Sequence, residues 1–540
     1  MSPTRRSTPL ALVALGTTLV LAGCSGTADD AADPTATGGG NYVIAVAQDF
    51  QGADRAAYSS EAAKTLADIM QSRLLDLATD ASSAESCADT APPELLPESA
   101  LVESWSVAED GMSIDFALKD GVESAAGNAL TAADVDWTID RIQAIDTTGT
   151  SLWFTIGGFD PANPITVHDE LTFTLNLTAP NALAPYALAG TAGLIYDSAT
   201  VKEHVTADDP WGVGWLKDHT ANFGPWDLTS FTTQQLVFEA NENDDDERGT
   251  VDTVTVQTVP DASSRIQLVQ TGQASEVNGL DYSQIASLAQ GDAATVVMCE
   301  STGRDWLGLN ATDPVLGDTR VRQAISLALD REAIASDVYS DFANPATSGL
   351  SASFDAGTGE FYEQDVDRAR ELLAEAGYPD GFAFELSVSP AQPGAYSSTL
   401  ATLVQQQLGA VGIDVTITTV PSAVDYRDAG RAQQMQAWLL AESPAFVNPG
   451  YSAWLTAGEG GLQNYSGFLD PTLDGLADQL MSEAEPSADA TAQLAALIDE
   501  KQPAVYLTDR STIFVRATCV SSVPTSTLAV DYSGATSTCS

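Results

Sequence analysis

The chain has 540 residues, 44% of them apolar, more than one hydrophobic core supports and enough for about two or three. Its 75 acidic against 22 basic residues give a formal charge of −53. A field of that sign repels nucleic acid and bare anionic lipid, which excludes both as partners; the excess itself reads as surface solvation and says nothing of a pocket.

Arg5 and Arg6 precede an apolar run from Leu10 to Leu21, about a dozen residues and too short for the ~20 that a membrane span needs. This is the layout of a secretory signal. It ends in Leu21-Ala22-Gly23-Cys24, which resembles a bacterial lipobox: small residues suit the peptidase, and the Cys24 thiol accepts a diacylglyceryl group. Two or more acyl chains, at about 0.8 kcal/mol per buried methylene, anchor a protein without a membrane helix. Residues 1–23 are therefore expected to be signal peptide. Residues 24–40, polar and ending in Gly38-Gly39-Gly40, are expected to be a flexible tether.

Tyr42 to Val46 reads as a buried strand followed by a polar loop, and an apolar stripe predicts a helix from Ala57 to Leu75. Val102–Val107 and Ser113–Leu118 alternate as strands around the turn Glu109-Asp110-Gly111. Thr131 to Asp134 opens a helix carrying Val135, Ile139 and Ile142, and Leu171–Leu177 alternates again. Strands follow at Leu236–Glu239 and Val251–Val259, with a helix starting at Ser263. The polar loop from Asn241 to Arg248 clusters oxygens, yet Asp246 stands where an EF-hand needs glycine, so a solvated turn is expected there. Beyond Cys299 longer helices alternate with strands: one stripe from Arg320 to Ile334, another from Asp365 to Ala376 capped by Gly377, a third from Leu400 to Leu408, then the strand Ile413–Ile417. That order predicts an α/β lobe.

Cys87, Cys299, Cys519 and Cys539 remain after lipidation and allow three pairings. The short loop favours Cys519 with Cys539, leaving Cys87 with Cys299. His168, His204 and His219 form no local ligand pair, so neither a metal nor a cofactor is expected.

Several stretches are more specific than their secondary structure requires. Asp318 to Arg331 (DTRVRQAISLALDR), Asp367 to Pro379 (DRARELLAEAGYP) and Leu408 to Val415 (LGAVGIDV) resemble signatures of the family 5 extracellular solute-binding proteins, the dipeptide, oligopeptide and nickel type of ABC importer receptor. Leu101 to Gly121, Leu130 to Arg141 and Phe223-Gly224-Pro225-Trp226 fit the same family, in the same order. The resemblance implies an α/β, two-lobed periplasmic-binding-protein-like fold of the large cluster C type, with an extra small α+β domain, hinged around a central cleft. Its implied boundaries are 41–70 and 186–303 for the first lobe, 71–185 for the small domain, 304–505 for the second lobe, and 506–540 for a return to the first.

The same resemblance implies where a ligand sits. The loop after the first strand supplies Gln48, Asp49 and Phe50, and the second lobe supplies Trp438 and the residues after it. Peptide-binding relatives carry there an aspartate that pairs with the peptide's amino terminus; in this chain Ala441 or Glu442 falls at that position. Glu442 suits an amine, whereas Ala441 suits a ligand without a free amino terminus. Trp153, Trp306, Tyr451, Trp454 and Tyr465 are aromatic candidates for the cleft wall, and the signature helices are expected to be scaffold.

No Gly-x-Ser-x-Gly elbow, His-Glu-x-x-His helix or phosphate loop is present, and no lysine has a serine three residues before it, so an enzyme is not expected. The expected partners are a small ligand, an oligopeptide first and an oligosaccharide or metal chelate as alternatives, and the permease subunits of an ABC importer. The protein itself is expected to be a monomer, lipid-anchored on the extracellular face of the plasma membrane in a Gram-positive type of envelope. A sensor or adhesin with the same fold is the alternative from another class.

Overall fold

The computed structural model describes residues 40–540 except 49, 51, 55–60, 81, 83–86, 88–93, 146–147, 191–192, 245–247, 391, 443–445, 527 and 540. The signal, Cys24, the tether up to residue 39 and Asp49 thus lie outside the described residues.

The chain enters through β1 (Gly40–Val46), where Tyr42 and Ile44 are fully buried. The helix that follows, Glu61–Met70, stops five residues short of the expected Leu75. Leu74 and Leu75 continue an apolar stripe, but Gln71 turns left-handed (φ 48°), and Leu74 then donates its N–H to Gly193 O as extended chain. Burial is satisfied by strand pairing instead of another helical turn.

A separate antiparallel sheet comes next: β2 (Val102–Val107), β3 (Ser113–Leu118), β4 (Ile165–Val167) and β5 (Thr172–Asn176), in the order β2-β3-β5-β4. Ile114, Phe116, Phe173 and Leu175 point to one face, and the helix Ala132–Ile145 covers it with Val135, Ile139 and Ile142. The helix begins as its sequence demands, with the Asp134 carboxylate accepting both the Thr131 N–H and the Thr131 hydroxyl at 2.9 Å.

Apart from a short hairpin of Val520–Ser522 with Thr536–Ser537, the remaining strands join β1 in one large sheet. They are β6 (Trp226–Phe231), β7 (Gln235–Ala240), β8 (Val251–Thr258), β9 (Glu276–Val277), β10 (Ala294–Leu309), β11 (Ala343–Pro345), β12 (Ala383–Val388), β13 (Asp414–Thr419), β14 (Ala437–Ala441) and β15 (Ala504–Ala517). Their order is β13-β12-β14-β10-β15-β9-β1-β8-β7-β6, with β11 beside β15. At the turn before β6, a side chain on Gly224 would place its Cβ 1.7 Å from Met70 O, so only glycine fits.

β10 and β15 run the length of both halves of this sheet. Ala294–Cys299 pairs with Thr512–Ala517 on one side, Gly303–Gly308 pairs with Ala504–Arg510 on the other, and the register shifts between Cys299 and Gly303. Beyond that break the sheet is covered on both faces. The helices Thr319–Ala328, Arg331–Tyr339, Val366–Glu375 and Ser397–Gly409 bury Val321, Ile325, Leu372, Leu400 and Val404 on one face. Pro449–Ala457, Pro471–Ser482 and Ala488–Lys501 bury Ala453, Leu473, Leu494 and Ile498 on the other.

The stripe from Arg320 to Ile334 is two helices, not one. Leu329 is extended, and the Asp330 carboxylate caps the second helix by accepting the Ala333 N–H at 2.9 Å. Val366–Glu375 begins with the Asp365 carboxylate accepting the Arg368 N–H and ends before Gly377 at φ 98°, as the capping residues require. The disulfides are Cys87–Cys299 and Cys519–Cys539, the pairing that loop length favours. No described helix is long and apolar enough to cross a membrane.

Candidate ligand-binding site at the strand crossover

Just past the register break, β10 carries Arg304-Asp305 and β15 carries Asp509-Arg510. Neighbours in a strand point to opposite faces, so the two doublets make one ion pair on each face. On one face Arg304 Nε donates to Asp509 Oδ1 at 2.7 Å, Nη2 donates to Ser348 O, and the guanidinium lies 4.0 Å from the Tyr506 ring. On the other, Arg510 Nε stands 3.0 Å from Asp305 Oδ2 without hydrogen-bond alignment, so charge holds that pair. The Tyr339 and Tyr396 hydroxyls donate to the Asp305 carboxylate at 2.7 and 2.9 Å. Burial raises the Asp305 carboxyl above the ordinary range even so.

β14 lies alongside, and Glu442 follows its carboxyl end. The Glu442 N–H donates to Arg304 O at 2.7 Å, and its carbonyl accepts from Arg510 Nη2 at 2.9 Å, so both doublets pin its backbone. Its side chain is 1% exposed. Oε1 accepts from the Ser452 hydroxyl at 3.0 Å, while Oε2 has no hydrogen-bond partner among the described residues. Burial pushes the carboxyl up to about 7, against the opposing pull of Ser452, Arg304 and Arg510. A buried carboxyl with one free oxygen is a receptor for a cation or a hydrogen-bond donor. Arg304 Nη1, also buried, is likewise unpartnered among the described residues.

The other expected site residues are placed as follows. Tyr451 is buried next to Glu442's partner Ser452 and packs edge-on against Phe446 at 4.9 Å, and Trp454 is half-buried beside it at 6.1 Å. Trp306, Trp438 and Tyr465 are core residues of the second half of the sheet, 1%, 2% and 5% exposed. Trp438 lies against Gly308, where a Cβ would approach its ring to 2.1 Å. Phe50 is buried in the core around β1, and Gln48 is exposed, its carbonyl accepting from Thr258 Oγ1 at 3.3 Å. Trp153 is fully buried in the core of the small sheet against Phe159 at 5.0 Å. Glu442, Tyr451 and Trp454 are thus brought together, while Phe50 and Trp153 pack in other cores. Ser443 and Pro444 lie outside the described residues.

The profile of the bacterial extracellular solute-binding proteins, family 5 (middle region), matches residues 97–464. The chain belongs to this family. Among the relatives of this family 5 chain, the glutathione-binding protein GsiB of Salmonella paratyphi A is 27% identical over 362 residues. That alignment covers 66% of the chain and 65% of the relative, so the chain spans just under two thirds of that curated relative's length. Two solved structures share its two-lobed α/β fold. The dipeptide-binding protein of Pseudoalteromonas sp. SM9913 in complex with Met-Leu has a TM-score of 0.79 at 17% identity, covering 92% of this chain and 100% of that one. DppA of Helicobacter pylori in complex with the peptide STSA has a TM-score of 0.77 at 20% identity, covering 92% and 98%.

The first family 5 signature segment is fixed in the fold by guanidinium-to-carbonyl bonds that the sequence does not announce. Arg322 donates to the carbonyls of Gln502, Leu316, Gly317 and Lys501, and Arg331 to those of Tyr506, Ser326 and Tyr362. Sequence reading also passed over Arg304, Ser452, Asp509 and Arg510. The available signal was an opposite-charge doublet, in inverted order, inside two long strands.

Proposed function

We propose that this protein is the lipid-anchored receptor of an ABC importer that binds an oligopeptide by its free amino terminus and presents it to the permease. The observation that carries the reading is Glu442 Oε2, buried and unpartnered among the described residues, at the carboxyl end of a strand beside the crossover. An ammonium placed there gains a charge-assisted hydrogen bond and relieves the cost of the buried charge. Glutathione, Met-Leu and the peptide STSA, named for the relatives and neighbours above, are all compounds with a free amine. Glu442 rather than Ala441 supplies the carboxyl in this reading. Arg304 Nη1 is the matching donor for a carbonyl or carboxylate of the same ligand. The lipobox at Cys24 supplies the anchor, holding the receptor on the outer face of a Gram-positive plasma membrane, where tethering raises its concentration at the permease. Binding and release need no chemistry on the ligand, only a preference for the closed state.

The test is calorimetry on the mature chain with a free-amine dipeptide, its N-acetyl derivative, an oligosaccharide and a nickel–histidine chelate. The dipeptide binds and acetylation weakens it about tenfold or more, the worth of one charged hydrogen bond. Tight binding of the sugar or the chelate with peptides inert overturns the peptide assignment. A Cys24→Ser change that leaves membrane retention unaltered, with no acyl group on the wild-type chain by mass spectrometry, overturns the anchor.

A further inference from the structure

Six buried apolar side chains form a cluster of their own: Ile156, Leu183 and Ala187 from the small-sheet side, and Phe446, Tyr451 and Leu455 from the second lobe. The small-sheet members come from two short elements that each look both ways. On the helix Ala184–Ala189, Ala184 and Leu188 enter the small sheet's core, while Leu183 and Ala187, one position earlier, enter the cluster. The turn Ser151–Ile156 is π-helical, closed by Gly157 N–H donating to Leu152 O at 2.9 Å. Residues three apart share a face in an α-helix; the wider π-turn separates them, so Trp153 goes into the small core and Ile156 into the cluster.

Asn181 fastens these two elements to each other. Its Nδ2 donates to Ile156 O at 2.6 Å and its Oδ1 accepts the Leu183 N–H at 2.8 Å. The next residue reaches the second lobe directly, Ala182 N–H donating to Met481 O at 3.1 Å on the helix Pro471–Ser482. On the far side, Tyr451 precedes Ser452, which holds Glu442.

We propose that the small domain is the lid of the binding cleft: its π-turn and short helix clamp an apolar surface onto Phe446, Tyr451 and Leu455 and seal the Glu442 end. This rests on the receptor reading only in taking the space beside Glu442 as the binding cleft. Sealing that end excludes water from the carboxyl and strengthens its contact with an ammonium. It also ends the ligand there, so a peptide's first residue is the last that fits. Trp153 is the lid's anchor in the small core, not a ligand contact.

The experiment is hydrogen exchange, read by mass spectrometry, on the mature chain without ligand. Leu455→Asp, a change in the second lobe, accelerates exchange across the cleft in 151–156 and 182–189 by about tenfold or more, as expected when a local opening loses its closing contact. β2 and β3 keep their wild-type rates. Ile156→Asp does the converse, accelerating 449–457, and Leu455→Ala gives a smaller shift of the same pattern if the aspartate variant does not accumulate. Changes confined to the mutated element overturn the lid. Because no ligand is present in this measurement, that result leaves the peptide panel to decide the receptor reading.

Discussion

Glu442 Oε2 sets two opposite demands on one carboxyl. Its folded pKa of about 7 stands above the ordinary 4.5, so the folded chain holds a proton that the unfolded chain releases. The stability tied to that proton is present below pH 4.5 and lost as the pH rises through about 7. The loss is on the order of 3 kcal/mol. In thermal unfolding between pH 4 and 8, Glu442→Gln flattens this part of the wild-type pH dependence; an unchanged slope removes Glu442 as its source. Amine affinity runs the other way. It rises with pH until Glu442 is ionised near 7. It falls again above the peptide amine's own pKa of about 8. Calorimetry with a free-amine dipeptide therefore shows an optimum between these values, and the acid limb vanishes in Glu442→Gln. The segment holding this carboxyl was legible by its shape after Trp438, but the sequence left Ala441 and Glu442 as alternatives within it. That Trp153 faces a core was not legible, because an isolated aromatic residue in a short π-turn gives no periodicity from which to read a face.

At the scale of elements, the first signature segment is tied to its surroundings by two guanidinium groups, Arg322 and Arg331, which meet backbone carbonyls and, among the described residues, no carboxylate. Burial depresses Arg331 to about 10, yet it still donates to Tyr506, Ser326 and Tyr362. Arg331→Met leaves those buried carbonyls unmet and costs about 3 kcal/mol or more. Denaturant unfolding measures the loss, and dipeptide affinity stays within a few-fold of the wild-type value because the Arg331 guanidinium bonds to none of Glu442, Ser452 and Arg304. Loss of affinity at wild-type stability would make the helix a ligand contact. The strands Val102–Val107 and Ser113–Leu118 were readable to the residue from alternation alone. The break at Leu329 was not, since Asp330 is tolerated within a helical stripe and only its capping bond to Ala333 shows that a new helix starts.

At the scale of the whole molecule, two covalent links close loops of very different length. Cys519–Cys539 spans 20 residues and Cys87–Cys299 spans 212. Loop-closure entropy assigns them about 3 and about 5 kcal/mol respectively. Serine pairs at each site, compared by denaturant midpoint, should follow that order. The reverse order would mean that residual structure in the unfolded chain, not loop length, governs the larger link. An α/β lobe beyond Cys299 was readable from its alternating helices and strands, while the two-lobed arrangement was implied only by the family signatures. Nothing local in the sequence relates Arg304 to Asp509, because their pairing depends on two strands meeting across a sequence separation of 205.

The inverted doublets Arg304-Asp305 and Asp509-Arg510 have a consequence for how such a chain can be cut and rejoined. Both charge pairs lie on one side of the register break between Cys299 and Gly303. A segment from 303 to 510 therefore carries both charge pairs together with Glu442, and its covalent connection to the rest runs through two adjacent strands. Grafting that segment between family members requires only two junctions, one before Gly303 and one after Arg510. Junctions inside the doublets would strand a buried arginine or aspartate without its opposite, so the viable splice points of this fold are set by four side chains.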